Sequence, residues 1–434
     1  MAFFQVRFVI GTPFVMGGRN ETACTSLAPG SSFGPFRRKI RAVGHPALIA
    51  KKNIMIPAAR RLLPLLLAAT FAPAASAAGL QLWQQSAAGL GVGYAGSAAV
   101  ADDAGTVYYN PAGMTRLPGI QVSFGGTGTW PTYDYSGPGG NADGGATLGT
   151  GNGFATWRAT DALAFGFGVS QPFGLKTSYP GNWTGAPQAI RSDMRTVNYN
   201  PSVAYRVSDK VSLGAGVSYQ TLDVDMTGSG LSYQGSSSAW GWNAGALFEL
   251  SPAMRVGVSY RSSMTQDLDN GGASVKLPDV GILSVWQQVS DRWEAMGDLS
   301  YTRWNSLKSL AVVSRASGNV IPGAGETFNY DNSWRIAWGA AYRMNEQAKL
   351  KFGIAYDRTP VRDSDRSARV PDNSRLWLSL GGQWNAGNYG KVDVGYSYLY
   401  VRDPDINMTK NNTTLRGSYD ASAHIVGVQY SVGF

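Results

Sequence analysis

From about residue 118 to the C-terminus, apolar and polar residues alternate in runs of roughly ten, and no other feature constrains the fold of this chain as much. The last run is the clearest. Val426, Val428, Tyr430, Val432 and Phe434 form one face, and Gly427, Gln429, Ser431 and Gly433 form the other. Leu376, Leu378 and Leu380 oppose Trp377, Ser379 and Gly381 in the same way, and Lys391-Val392-Asp393-Val394-Gly395-Tyr396 repeats the pattern. Successive side chains of a strand point to opposite faces of a sheet, so these runs predict strands with one apolar face. A large soluble sandwich would alternate too, and period two alone does not choose between them.

The connections do. Fourteen candidate strands begin near residues 118, 151, 162, 193, 210, 236, 253, 279, 292, 328, 348, 374, 390 and 421. Tight polar turns stand at Ala159-Thr160-Asp161, Ser208-Asp209, Ser251-Pro252, Ser290-Asp291, Asn345-Glu346 and Ala386-Gly387-Asn388. Longer connections fall at about 131–149, 172–192, 229–235, 269–278, 313–327, 359–373 and 405–420. Transmembrane barrels alternate short periplasmic turns with long external loops in this manner. Closing the sheet also removes edges that would expose unpaired backbone to lipid. Beyond Ala78 no apolar run is long enough for a membrane-spanning helix. The expected fold is therefore all-β: a 14-stranded antiparallel transmembrane β-barrel over residues 118–434, embedded in outer-membrane lipid. The terminal Phe434 on an alternating strand looks like the signal read by barrel-assembly machinery, an expected partner.

Export agrees with this. From Met55 the chain reads as a basic region with Arg60 and Arg61, an apolar run from Leu62 to Ala69, and small residues ending at Ala75-Ser76-Ala77. That is the layout of a secretory signal peptide over residues 55–77, its apolar run too short to span a bilayer. A retained anchor helix is the alternative. Residues 1–54 would bury the signal inside the chain, and we read them as a mis-annotated extension upstream of the true start. Ten of the 37 basic residues and one of the 28 acids lie in residues 1–77, which leaves 27 of each in the exported part. The basic balance of the whole chain thus gives no reason to expect a nucleic-acid partner. The single cysteine, Cys24, is also upstream, and His424 is the one histidine left. Disulfides, thiolate zinc sites and His clusters are excluded, and no metal or cofactor is expected. Hydrolases need a nucleophile–His pair or a carboxylate cluster. Ser422 shares a face with His424, at the external start of the last strand, but no nucleophile elbow accompanies them, so we expect no enzyme.

Residues 78–117, rich in Ala and Gly, do not read as a strand and must lie outside the barrel or inside it. Their sequence, with AGLQL at Ala78–Leu82, SAAGLG at Ser86–Gly91, ADDAG at Ala101–Gly105 and Asn110-Pro111-Ala112, resembles the N-terminal hatch of the FadL-type family. That family includes long-chain fatty acid transporters and aromatic-hydrocarbon (toluene) channels. Further resemblance lies in NPSVAYRVSDKVSLGAGVSY at Asn200–Tyr219 and PDNSRLWLSLGGQW at Pro371–Trp384, so it runs from Ala78 to Phe434. The resemblance implies a hatch inside the barrel, an apolar ligand pocket, and lateral release of a hydrophobic small molecule through a gap at an interrupted third strand. It assigns Leu80 and Leu82 to ligand binding and gating, and Asn110, Pro111 and Ala112 to anchoring the hatch. It reads Ser170, Pro172, Phe173 and Gly174 as the third-strand kink; Pro172 lacks the amide proton a ladder needs, although on residues alone it could equally begin a rim loop. Fatty-acid members set basic residues against the ligand carboxylate. After Tyr219 the chain offers Gln220-Thr221-Leu222-Asp223-Val224-Asp225 instead, which leaves Lys176, Arg191 and Arg195 as possible partners. Long-chain fatty acids are the first expectation and aromatic hydrocarbons the alternative; an open porin is a more distant one.

Overall fold

The computed structural model describes residues 79–229, 231–269, 274–310 and 326–434. Residues 1–54 and the signal sequence at 55–77 lie outside the described residues, as do Ala78 and most of the 313–327 loop. Fourteen strands form the wall: β1 Ile120–Gly137, β2 Leu148–Arg158, β3 in two pieces (β3a Leu163–Ser170 and β3b Gly174–Ser178), β4 Arg191–Ser208, β5 Val211–Gly228, β6 Leu231–Ser251, β7 Met254–Arg261, β8 Val280–Gln288, β9 Trp293–Thr302, β10 Ser333–Arg343, β11 Ala348–Asp357, β12 Arg375–Asn385, β13 Lys391–Val401 and β14 Thr413–Gly433. Each pairs antiparallel with its neighbours, and β1 pairs with β14 from Gln121↔Gly433 to Ser136↔Ser418. The β1–β14 pairing closes the sheet on itself, and closure is how a barrel removes the outer edges of a sheet. Phe434 completes the seam, its amide donating to Ile120 O at 2.8 Å.

The alternation sorts side chains as read. In β14, Val428 is 50% exposed on the outer face and Gln429 is fully buried inside. Leu378 and Leu380 face outward in β12, while Trp377 and Ser379 face inward. The short turns fall at the expected places. Strand starts differ mainly at the long-loop end. β14 begins at Thr413 rather than near 421, because Asp405–Lys410 folds back on Thr413–Ser418 as a hairpin. β5 and β6 likewise run on to Gly228↔Leu231, where a loop over 229–235 was expected. Ser, Thr, Asn and Gly at these tips pair as strand backbone once held in register, although their composition reads as loop. His424 therefore sits well inside β14, on the outer face, with Nδ1 at 2.9 Å from Tyr396 Oη.

Residues 79–117 lie against the inner wall. They contain two short helices, α1 Ala87–Leu90 and α2 Thr106–Tyr109, and a 3₁₀ turn at Pro111–Arg116. Wall glycines let this backbone approach closely: a Cβ on Gly257 would lie 1.9 Å from Ala98 O, and one on Gly353 2.2 Å from Val92 C. Polar wall side chains take up its backbone groups, which a helix-poor segment cannot satisfy internally. Arg335 Nη2 donates to Gly93 O at 2.6 Å, with its guanidinium over Trp83 and Trp377. Arg255 Nε donates to Ala99 O, Lys351 Nζ to Ala88 O, and Asp298 accepts from the Ser97 amide.

Candidate ligand pocket and wall opening

The segment enters through a turn at Gly79, whose φ is +57°, and Leu80 and Leu82 face two different cavities. Leu80, 2% exposed, points into a small cavity of about 40 Å³ lined by Leu175, Met194, Leu222, Val224, Met226, Val275, Phe328 and Val370. The accessible lining is entirely apolar. Strand register builds it: Met194 pairs with Val224 and Ser192 with Met226, which leaves Asp223 and Asp225 on the outer face. Leu82 faces a second cavity of about 80 Å³, with Thr129, Tyr133, Leu148 and Trp377 among its lining, and packs on Gly174.

At one end of the apolar cavity stands a buried charge cluster that the sequence reading did not select. Arg369 Nη1 donates to Arg191 O at 2.9 Å and Ser192 Oγ at 3.0 Å, and Nη2 donates to Thr227 O at 3.2 Å. Its Nε lies 3.9 Å from Glu326 Oε2, to which Lys410 Nζ donates at 2.6 Å. Nothing local marks these residues: they come from three different long loops. Of the three expected basic residues, none lines the apolar cavity, and Lys176 lines the second one. Lys176 Nζ donates to Thr147 O at 3.1 Å, and Arg191 and Arg195 flank Asp193, each donating to it at about 3 Å. On β4 they alternate with Ser192 and Met194 and point away from the lumen.

β3 is broken at Gln171-Pro172-Phe173. β2 pairs with β3a only from Gly153↔Val169 to Arg158↔Ala164, and beyond Gly153 its edge has no continuous partner. β3b pairs with β4 from Gly174↔Arg195 to Ser178↔Arg191, so the wall opens between residues 148–152 of β2 and 171–175. Gly149, Gly151 and Gly153 present no side chain along this rim, and a Cβ on any of them would meet nothing within 4 Å.

The N-terminal segment bridges the break. Leu82 N donates to Pro172 O at 2.9 Å, Gly174 N donates to Leu80 O at 3.0 Å, and Gln81 bridges Phe173. The Gln85 side chain holds both backbone groups of Gln171: Oε1 accepts from its amide at 2.8 Å and Nε2 donates to its carbonyl at 2.7 Å. Thr196 Oγ1 does the same for Phe173. Ser170, at the end of β3a, is buried and its Oγ has no partner. Gly79 N donates to Asp372 Oδ2 at 3.0 Å, which ties down the entry of the segment.

At its other end the segment is fixed by Asn110, which is fully buried. Its Nδ2 donates to Ala98 O at 2.7 Å and Ala246 O at 3.0 Å, and its Oδ1 accepts from Ala112 N at 3.1 Å, capping the turn that Pro111 starts. Ala112 packs on Gly214 of β5, and Arg116 pairs with Glu249 of β6. Between the two ends Asp102 and Asp103 meet Lys391. Burial, then the charge of Asp102, push Asp103 up to about 6, despite Lys391; Gln429 Nε2 donates to it at 3.1 Å.

Comparison with known proteins bears on this arrangement. A family model described as outer membrane protein transport protein (OMPP1/FadL/TodX) matches residues 67–434. The chain is 28% identical over 393 residues to the long-chain fatty acid transport protein of Salmonella typhi, covering 76% of this chain and 89% of that one. A FadL homologue of Pseudomonas aeruginosa superposes with a TM-score of 0.73 at 21% identity, over 82% of this chain and 100% of that chain. The toluene transporter TbuX of Ralstonia pickettii superposes at 0.62 and 17% identity, over 81% and 100%. At these identities the two structures establish a shared fold.

Proposed function

The chain belongs to the OMPP1/FadL/TodX family of outer membrane transport proteins, and from that premise we propose that it carries hydrophobic small molecules passively across the outer membrane of a Gram-negative bacterium. The observation that carries the reading is the apolar cavity occupied by Leu80. Displacing one buried leucine from an apolar lining exchanges like for like, so a hydrophobic ligand can replace it at little net loss of burial.

In this reading residues 79–117 act as a hatch anchored at Asn110, Pro111 and Ala112, and Leu80 and Leu82 are its gating residues. Ligand enters among the long loops, fills the cavity as Leu80 withdraws, and leaves sideways into lipid through the opening at Ser170-Gln171-Pro172-Phe173-Gly174. The glycine rim of β2 supports that exit, since Gly149, Gly151 and Gly153 add no side chain there; the Gln171 side chain, whose Oε1 accepts from Gly151 N at 3.2 Å, crosses the opening and would have to swing aside. Long-chain fatty acids are the first substrate class, with the carboxylate toward Arg369 and Lys410 rather than toward Lys176, Arg191 or Arg195. A second reading, uptake of aromatic hydrocarbon, is favoured by the way carbonyl groups and Glu326 already engage Arg369. Transport of either kind requires no catalytic group, and the outward-facing His424 supports a reading without enzymatic activity. The exposed side chain of Phe434 is available to the barrel-assembly machinery.

Native mass spectrometry of detergent-purified protein tests the reading. A co-purified acyl chain supports the fatty-acid class, and an empty cavity that takes up alkylbenzenes supports the other. Leu80→Asp should abolish retention of either, because an unpaired carboxylate then lies in the apolar cavity. Absence of binding by the unaltered protein to both classes overturns it.

A further inference from the structure

Three polar side chains stand in one row on the inner wall: Ser170 of β3a, Asn198 of β4 and Gln220 of β5. Register sets Ser170 opposite Asn198 and Asn198 opposite Gln220. Neighbouring Cβ atoms in such pairs are about 5 Å apart, so the row spans roughly 10 Å. Ser170 and Gln220 are each 1% exposed and Asn198 is fully buried. Yet Ser170 Oγ, both amide atoms of Asn198 and both amide atoms of Gln220 have no hydrogen-bond partner. Gln266, also buried, donates to Gln220 O at 3.3 Å and leaves its own Oε1 without one. Burying a polar atom unpaired opposes folding, and native interiors carry few. Here five stand together in adjacent side chains, donors and acceptors set side by side.

The position of the row bears on this. Leu222, which lines the apolar cavity, follows Gln220 by two residues on the same face of β5, so the row lies one layer from the cavity. Its other end, Ser170, adjoins Gln171 at the wall opening, and Asn152 on the far rim likewise leaves both amide atoms unpartnered. The row thus borders both the layer that holds the cavity and the edge of the opening. The segment Gln81–Gln85 is bonded along this stretch of wall and would have to withdraw first. The next layer of the inner wall holds a charge, Arg261, but it is already engaged with Ser218 Oγ, Tyr108 O and Asn200.

We propose that Ser170, Asn198 and Gln220 form a second recognition subsite, which takes the uncharged polar head of a long-chain amphiphile as it moves from the apolar cavity to the wall opening. The row offers amide N–H donors and amide and hydroxyl oxygens that accept. A head that both donates and accepts, such as a primary amide, an alcohol or a protonated carboxylic acid, satisfies both kinds. A carboxylate only accepts and would face Asn198 Oδ1 and Gln220 Oε1, and a bare hydrocarbon satisfies neither. The subsite rests on the hydrophobic-transport reading above and adds a selectivity that an apolar cavity alone cannot provide.

The test is equilibrium binding of radiolabelled dodecanamide and dodecane to the full detergent-solubilised protein, each corrected for its partition into micelles. The unaltered protein should prefer dodecanamide roughly tenfold, the scale of one or two net hydrogen bonds. The double variant Asn198→Leu/Gln220→Leu should lose that preference with its dodecane affinity unchanged. Ser170→Ala, which removes one oxygen and leaves the packing intact, should reduce the preference in part and serves if the double variant does not fold. Equal preference in the variants, or none in the unaltered protein, overturns the subsite. If the unaltered protein binds neither molecule, the transport reading fails first and takes the subsite with it.

Discussion

Single side chains decide how firmly the inner segment is seated. Asp103 is the titrating one. Its carboxyl is pushed up to about 6 by burial and by Asp102, so the folded segment binds a proton more readily than the unfolded chain does. Between the ordinary carboxylate pKa and about 6 the folded form holds more protons, so this group's contribution to stability falls as pH rises through that window and is greatest below it. We therefore expect amide exchange of residues 104–110, corrected for intrinsic rate, to slow between pH 7 and pH 5. Asp103→Asn should remove the dependence, and an unchanged slope in that variant would contradict the assignment. Residue-scale features of this kind were legible only where the chemistry is local. The Asn110-Pro111 turn reads directly from sequence because Asn caps and Pro starts a turn wherever they stand. Arg369, Glu326 and Lys410 did not read, because their meeting depends on three loops converging, and no spacing in the chain encodes that.

Among the elements, β3 is the one whose irregularity carries consequence. Pro172 marked an interruption, since a missing N–H is a property of the residue itself, but it equally allowed a rim loop, and the resemblance chose the break. The stitch across it did not, because Gln85 is an ordinary polar residue until the fold sets it 2.7 Å from Gln171 O. The glycine rim of β2 offers a way to test whether the break is an exit. A side chain at Gly151 would project from the wall into open space, so Gly151→Phe should fold normally. It should cut uptake into cells about tenfold or more while leaving the affinity of the purified protein for ligand unchanged, the pattern expected of an obstructed exit and an intact pocket. Reduced affinity with unimpaired uptake would rule out the lateral route. Strand positions themselves were legible to within a few residues, with the exceptions of β6, β10 and β14. The loop ends of β6 and β14 are built from polar residues that pair only because a neighbour is already in place, whereas β10 starts late, at Ser333, because Phe328 and Tyr330 before it pack into the core instead.

For the whole molecule, the question is whether the barrel is a pore or a filled container. A fourteen-stranded wall encloses more space than its own side chains fill, and here residues 79–117 supply the remainder, in contact with the wall at Gly257, Gly353 and Gly214. In planar bilayers the intact protein should show no large steady ion conductance. Gly257→Leu should produce one, because its side chain would overlap Ala98 O and force the segment off the wall; a silent variant with the barrel still folded would show that the seat has other sufficient supports. Closure of the sheet was expected from its even strand count and loop asymmetry, whereas the wall glycines were not recognised as seats.

The same few residues fill the cavity and mend the broken strand: Leu80 offers its side chain to one and its carbonyl to the other. In the proposed route, cavity and opening are two doors on a single bolt. A guest that takes the place of Leu80 draws the bolt from the opening, and its observed affinity is its intrinsic affinity less that work. On the same proposal an empty barrel stays shut without any separate sensor of vacancy. A variant with weaker stitches would hold its cargo more tightly and guard the membrane less well, so evolution must trade grip against leakage through one short stretch of backbone.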